Sequence, residues 1–151
     1  DIGTLIEQLR RAFGASAEAR TVKIAAAGPA ERLVIQADAD MLRRLLENLL
    51  DNALRHSPSG GTVRLEAEAK AGRVELGVRD QGPGVPERHR ARVFEKYFQI
   101  DGDARAAATR AGRGLGLAFC RLAAEAHGGR IWVEDSAPAG SLFRVSLPVT
   151  P

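Results

Sequence analysis

Residues 39–56 carry the strongest folding signal in the chain. Leu42, Leu45, Leu46, Leu49, Leu50 and Ala53 recur at helical spacing and share one arc at ~100° per residue. Arg43, Arg44, Glu47, Asp51 and Arg55 share the opposite arc. Such a helix must bury its apolar stripe, so it calls for a second layer to lie on. Asp38 stands where an N-cap belongs, and Ser57-Pro58-Ser59-Gly60-Gly61 ends the pattern. Asn48 and Asn52, four residues apart, lie on the seam between the two arcs.

The rest of the chain supplies that layer. Thr62–Ala69 and Arg73–Asp80 read as an antiparallel hairpin around Ala71-Gly72. Arg130–Glu134 and Ser141–Leu147 read as two closing strands. Val22–Ile24 and Leu33–Ile35 read as two short strands around a Gly28-Pro29 turn. Helices are expected over residues 4–13, where Leu5, Ile6, Leu9 and Phe13 are spaced helically, and over 115–127, stopped by Gly128-Gly129. Residues 81–113 hold few regular signals, and a segment this long without clear structure is either disordered or a functional lid. The predicted fold class is α+β. It is a two-layer α/β sandwich, a mixed, mostly antiparallel sheet packed on helices, with a flexible lid. At 151 residues the chain fits one domain with one core.

Composition narrows the function classes. The net charge is +3, but 22 basic and 19 acidic residues are interspersed and aromatics are 5%. Too few rings exist for a base-stacking surface, so direct nucleic-acid binding is not expected. Cys120 is the single cysteine, which excludes an internal disulfide and a Cys-rich zinc site. His56, His89 and His127 lack metal-ligand spacing, and His127 reads as a helix C-terminal residue. No apolar run is long enough to span a membrane as a helix. The opening stretch has no initiator Met and is expected to come from the middle of a longer protein.

Four short motifs carry the chemistry. Asn48 and Asn52 offer hard, neutral carbonyl ligands suited to Mg²⁺ that also holds phosphate oxygens, and Arg55 follows within reach of a phosphate. Asp80 shares strand parity with Val74, Leu76 and Val78, so alternation aims a carboxylate into the apolar side, where it needs a donor such as the exocyclic amine of adenine. Gly82 and Gly84 let the backbone pass close to a flat ring. Gly112, Gly114 and Gly116 run straight into a helix start, whose free N–H groups form an anion site. Phe94, Tyr97 and Phe98 form an aromatic anchor at the front edge of the lid, and Arg105, Arg110 and Arg113 lie in or beside it. Each motif alone has a plain structural explanation: a helix edge, a strand-ending turn, a linker, core packing, solvated charge.

Taken in order, the motifs resemble the four nucleotide-binding boxes of bacterial sensor histidine kinases, in the catalytic, ATP-binding domain of the GHKL superfamily. The resemblance covers almost the whole of residues 1–151 and extends to Ala126-His127-Gly128-Gly129-Arg130-Ile131-Trp132-Val133-Glu134. It implies ATP and Mg²⁺ as cofactors, with Asn52 as the metal ligand and Asn48 beside the phosphates. Arg55 stands at the family's phosphate-binding Lys, and His56 where an aromatic lines the nucleotide. Asp80 reads adenine, with Gly82, Gly84 and Val85 shaping the pocket. Phe94 and Phe98 lie at the lid, while Arg110, Gly112, Arg113, Gly114, Leu115, Gly116 and Leu117 serve the phosphate loop. The lid would span about residues 85–111. Arg113 replaces the family's usual small or hydroxyl residue between the glycines, and Ala111 replaces its usual preceding Gly.

Gyrase-type relatives carry a general-base Glu where this chain has Asn48. An amide does not activate water, so the resemblance implies transfer of the γ-phosphate to an acceptor over hydrolysis. That acceptor would be a histidine on a separate dimerisation domain of the same full-length protein, with a response regulator downstream. No His-Glu-x-x-x-x-Pro motif occurs in the chain, so no autophosphorylation is expected from it alone. The domain is expected to be cytoplasmic and monomeric, with membrane attachment only through an upstream region. Two alternatives stand beside this reading: an anti-sigma-type serine kinase, and a catalytically silent nucleotide-binding regulatory module.

Overall fold

The computed structural model describes residues 1–100 and 115–150. Helix α1 (Ile2–Ala12) and a short α2 (Gly14–Ala19) precede strand β1 (Lys23–Ala27). Helix α3 (Ala39–His56) then leads into β2 (Thr62–Lys70) and β3 (Arg73–Arg79). Two short 3-10 turns, Glu87–His89 and Arg92–Phe94, follow, and α4 (Gly116–Ala126), β4 (Arg130–Asp135) and β5 (Ser141–Pro148) close the described chain.

The five strands form one sheet in the order β1-β2-β3-β5-β4. Only β1 and β2 run parallel, with α3 as their crossover, and the other pairs are antiparallel. Ala71 and Gly72 both take positive φ, 51° and 74°, as a two-residue hairpin turn requires. The α+β, two-layer expectation is therefore met: a five-stranded, mostly antiparallel sheet packs on helices.

The core sits between the sheet and the helices. Leu42, Leu45, Leu46, Leu49, Leu50 and Ala53 of α3 share one core with Val63 and Leu65 of β2, Val74, Leu76 and Val78 of β3, and Phe143, Val145 and Leu147 of β5; α3 lies over β2 and β3, and α4 over β4 and β5. Side chains on the opposite sheet face are charged: Arg79 pairs with Glu66 at 2.8 Å, and Arg144 lies 3.0 Å from Glu134 and 3.4 Å from Glu75. One apolar and one charged face explain why helices cover a single side. Among the described residues, no helix is long and apolar enough to cross a membrane.

Two sequence expectations need correction. Leu33–Ile35 is not a strand. Leu33, Ile35 and Ala37 pack inward while Val34 is exposed, so the alternation is real. However, the segment forms isolated bonds, Ile2 N–H to the Leu33 carbonyl and Gln36 N–H to the Val149 carbonyl, instead of a ladder. Alternation reports half-burial, and a strand also needs a neighbour. Helix α2 was not anticipated; it buries only Ala17, too little to leave a periodic trace.

Leu50 is completely buried under this sheet. Leu50→Ala is expected to lower unfolding free energy by about 2–5 kcal/mol, read from the urea midpoint at unchanged slope.

Candidate functional site

Helix α3 is the ruler of the candidate site. Its N-terminus is capped by Asp38, whose Oδ1 accepts from Met41 N–H at 2.9 Å. Asn48 is half-buried, Asn52 is 9% exposed, and His56 ends the helix. From Asn48 to His56 the axis rises about 12 Å. Among the described residues, nothing hydrogen-bonds the Asn52 amide.

The Asp80 loop lies against the His56 end. A Cβ on Gly82 would stand 2.6 Å from the His56 carbonyl oxygen and 3.2 Å from Asp80 Oδ1, so only glycine permits this approach. Asp80 follows β3 with its carboxylate turned inward and 2% exposed, as strand parity predicted. Its Oδ1 accepts from Gly82 N–H at 2.9 Å and from Ser141 N–H at 3.1 Å. Burial pushes the Asp80 carboxyl above its ordinary range; the two N–H donors and the charge of His56 pull partly against that. Both donors lean on Oδ1, and Oδ2 is left for an external donor.

At the other end, Gly116 opens α4 beside Asn48. A Cβ on Gly116 would lie 3.4 Å from Asn48 Oδ1. No side chain caps α4, and its first turn carries no acidic residue. Among the described residues no side chain takes its leading N–H groups, the kind of donors that bind an anion. Leu115 is exposed at the helix start, and Leu117 packs partly on the core. Thus the strand-end motif meets α3 at His56, the glycine motif meets it at Asn48, and Asn52 lies between.

The remaining expected residues divide. Arg55 Nε lies 3.4 Å from Asp51 Oδ2 but makes no hydrogen bond, so the guanidinium is only loosely held. Gly84 takes φ +81° beside the Gly140 carbonyl, and Val85 packs on the core. Phe94 is buried edge-on to Phe143 with centroids 6.0 Å apart, and Phe98 lies against His89 and under the Arg92 guanidinium. Tyr97, expected with them as an anchor, is instead 73% exposed with φ +63°. Arg105, Arg110, Gly112, Arg113 and Gly114, with the lid beyond Ile100, lie outside the described residues.

Two contributors escaped sequence reading. Ser141 supplies its backbone N–H to Asp80 from 61 residues away. Gly140, at φ +107°, presses on the Asp80 carbonyl so closely that a Cβ would stand 2.0 Å from it. A glycine before a strand signals a turn, and nothing local says which backbone it will touch. Arg90 also ties the start of the expected lid to the sheet through Asp135, at 2.8 Å.

Among the described residues there is no cluster of three His, Cys, Asp or Glu that could hold a metal ion. Chemically, the seam offers a buried carboxylate at one end, neutral amides in the middle and a bare helix N-terminus at the other. That graded series fits an elongated ligand with a donor-bearing ring and an anionic tail.

The family model described as histidine kinase-, DNA gyrase B- and HSP90-like ATPase matches residues 37–151. Alginate biosynthesis sensor protein KinB of Pseudomonas aeruginosa is 36% identical over 149 residues, 99% of this chain and 24% of KinB. Adaptive-response sensory kinase SasA of Nostoc sp. is 35% identical over 124 residues, 82% of this chain and 30% of SasA. The chain thus spans about a third or less of these relatives. Among solved structures, full-length ShkA in complex with AMPPNP matches with TM-score 0.86 at 34% identity, over 98% of this chain and 30% of that one. The nucleotide-free catalytic domain of histidine kinase ThkA matches with TM-score 0.85 at 26% identity, over 99% and 95%.

The buried carboxylate yields a test independent of any ligand. A carboxyl with a raised folded pKa adds stability below its unfolded value, and that contribution is lost as pH rises through the folded value. Asp80→Asn keeps an acceptor for Gly82 and Ser141 without the charge. The variant is therefore expected to gain stability relative to wild type as pH climbs from 4 to 8 in thermal melts. Asp80→Ala strands two buried N–H groups and is expected to lose about 1–3 kcal/mol.

Proposed function

We propose that this chain, which belongs to the histidine kinase-, DNA gyrase B- and HSP90-like ATPase family, binds Mg-ATP and donates its γ-phosphate to a histidine on a separate domain of a sensor kinase. The observation that carries this reading is the convergence of three motifs on one seam of α3, with Gly82 on the His56 carbonyl and Gly116 on Asn48. The seam length of about 12 Å suits adenine at one end and phosphates at the other.

In this reading Asp80 accepts from the exocyclic amine of adenine, with Gly82, Gly84, Val85 and His56 around the base. Phe94 and Phe98 brace the front of the lid. Asn48, Arg55 and the start of α4 serve the phosphates, with Leu115, Gly116 and Leu117 opening the helix and Arg110, Gly112, Arg113 and Gly114 completing the loop. Asn52 fits as a Mg²⁺ ligand because its amide oxygen is hard, nearly buried and unclaimed among the described residues. The metal would neutralise charge on the phosphate oxygens. The named complexes of relatives lend support: AMPPNP on ShkA, and the response regulator TrrA on ThkA.

The whole of residues 1–151 acts as one domain, with its lid at about 85–111. It works as a cytoplasmic monomer, joined to any membrane only through an upstream region. Its partners are a histidine-bearing dimerisation domain and, through it, a response regulator.

A thermal-shift titration tests the site. Saturating Mg-ADP at about 100 times Kd is expected to stabilise wild type by about 2.7 kcal/mol and to leave Asp80→Asn unmoved. An equal shift in both would remove Asp80 as adenine reader. Adding γ-labelled ATP and a purified histidine-bearing dimerisation domain tests the transfer. Label on its histidine is expected; label on a serine of a partner protein would favour an anti-sigma-type kinase. Bound ATP with no transfer would favour a silent regulatory module.

A further inference from the structure

We infer that His127 is a positioning residue: by tying the end of α4 to the start of α3, it sets the axial register between the two helices and so where Gly116 stands against Asn48. The inference rests on reading that junction as the phosphate end of a nucleotide site.

The helices run antiparallel. Their contacts go in order from Asn48 with Gly116, through the Cys120 thiol donating to the Leu45 carbonyl at 3.4 Å, to Asp38 with His127. At the last of these the Asp38 N–H donates to His127 Nε2 at 2.9 Å, while Nδ1 lies 2.7 Å from the Ala123 carbonyl. A carbonyl only accepts and an N–H only donates. The pair of partners therefore fixes one neutral tautomer, with the proton on Nδ1 and the lone pair on Nε2. Both ring nitrogens are used, one within α4 and one across to α3.

Apolar packing alone specifies this register weakly. The residues α4 buries fully are Ala118, Cys120, Ala123 and Ala124, all small, while its larger Leu117 and Phe119 pack only partly on the core. Low ridges slide past a neighbour more readily than interlocked large side chains. A thiol is a weak donor, so the Cys120 contact adds little direction. Among the described residues, the imidazole clip at 2.9 Å is the shortest hydrogen bond between the two helices, beside the Cys120 thiol contact and the Arg44 guanidinium stacked 4.6 Å over the Phe119 ring. Sliding α4 by one residue would carry Gly116 about 1.5 Å along Asn48. Displacements near 1 Å at a reacting centre cost rates on the order of 100-fold.

Loss of the clip should not unfold the protein. The chain after α4 is held to β5, where Gly129 fits so tightly that a Cβ would lie 2.3 Å from the Ser146 carbonyl. His127→Ala is therefore expected to melt cooperatively. It should also expose the Asp38 amide to hydrogen exchange, move the Gly116 amide resonance, and weaken AMPPNP binding on the order of 10-fold. His127→Gln returns an acceptor to Asp38 and is expected to restore all three. An unmoved Gly116 resonance with wild-type affinity in His127→Ala overturns the inference, and so does a His127→Gln variant no better than Ala. If His127→Ala does not fold, His127→Asn, polar but too short to reach Asp38, replaces it under the same criteria. Failure of wild type to bind AMPPNP would strike the nucleotide reading instead, and the Gly116 resonance still decides the register.

Discussion

The burial of one stripe of α3 is the constraint from which the rest follows. Six apolar side chains on that stripe pack on β2, β3 and α4, and their burial fixes the helix rotationally. Once it is fixed, the seam positions have no freedom left. Asn48, Asn52 and His56 must line the margin where the helix leaves the sheet, Asn48 and His56 half-buried and Asn52 buried. Polar groups on such a margin are desolvated enough to discriminate ligands and open enough to meet them. The site is thus a by-product of the same packing that stabilises the fold.

Asp80 shows the opposing requirement. A carboxylate on the core parity of β3 works against folding, and its raised pKa expresses that cost. Two backbone N–H groups reduce it, and both depend on glycine-tight approaches, at Gly82 against α3 and at Gly140 against Asp80 itself. Replacing the charge would relax the protein, which is the usual relation between a binding group and the stability of its scaffold.

Much of this was legible in the sequence, for a common reason. The α3 stripe, the β2–β3 hairpin and the inward turn of Asp80 are periodic statements, and period is local information. The missed features are contacts between distant segments. Ser141 reaches Asp80 only because β5 lies beside β3. Leu33–Ile35 alternates as a strand does but finds no ladder partner, which no local pattern could reveal. Tyr97 shares a motif with Phe94 and Phe98 yet points to solvent, since its left-handed backbone turns it away from the side its neighbours face. The register of α4 on α3 was illegible too, because small buried residues leave no strong periodic signal and the clip that sets it spans 89 residues.

The chemistry proposed for the site turns on what the seam lacks. Asn48 and Asn52 are amides, with no proton affinity useful near neutral pH, and Glu47 projects ~100° around the helix from Asn48. A group that activates water would have to stand at the phosphate end of the seam, where the described side chains of α3 are the two amides, while His56 lies at the opposite end. Phosphoryl transfer asks little covalent help of a protein; it is governed by alignment and by stabilising charge on the moving group. A site that aligns well and ionises water poorly holds its phosphate until a better nucleophile arrives. An imidazole delivered on another domain is such a nucleophile: its unprotonated ring nitrogen attacks phosphorus, ADP leaves, and the proton on the other ring nitrogen passes to a neighbouring acceptor or to solvent. Under the proposed function, the pair of amides would favour passing phosphate to a protein over passing it to water.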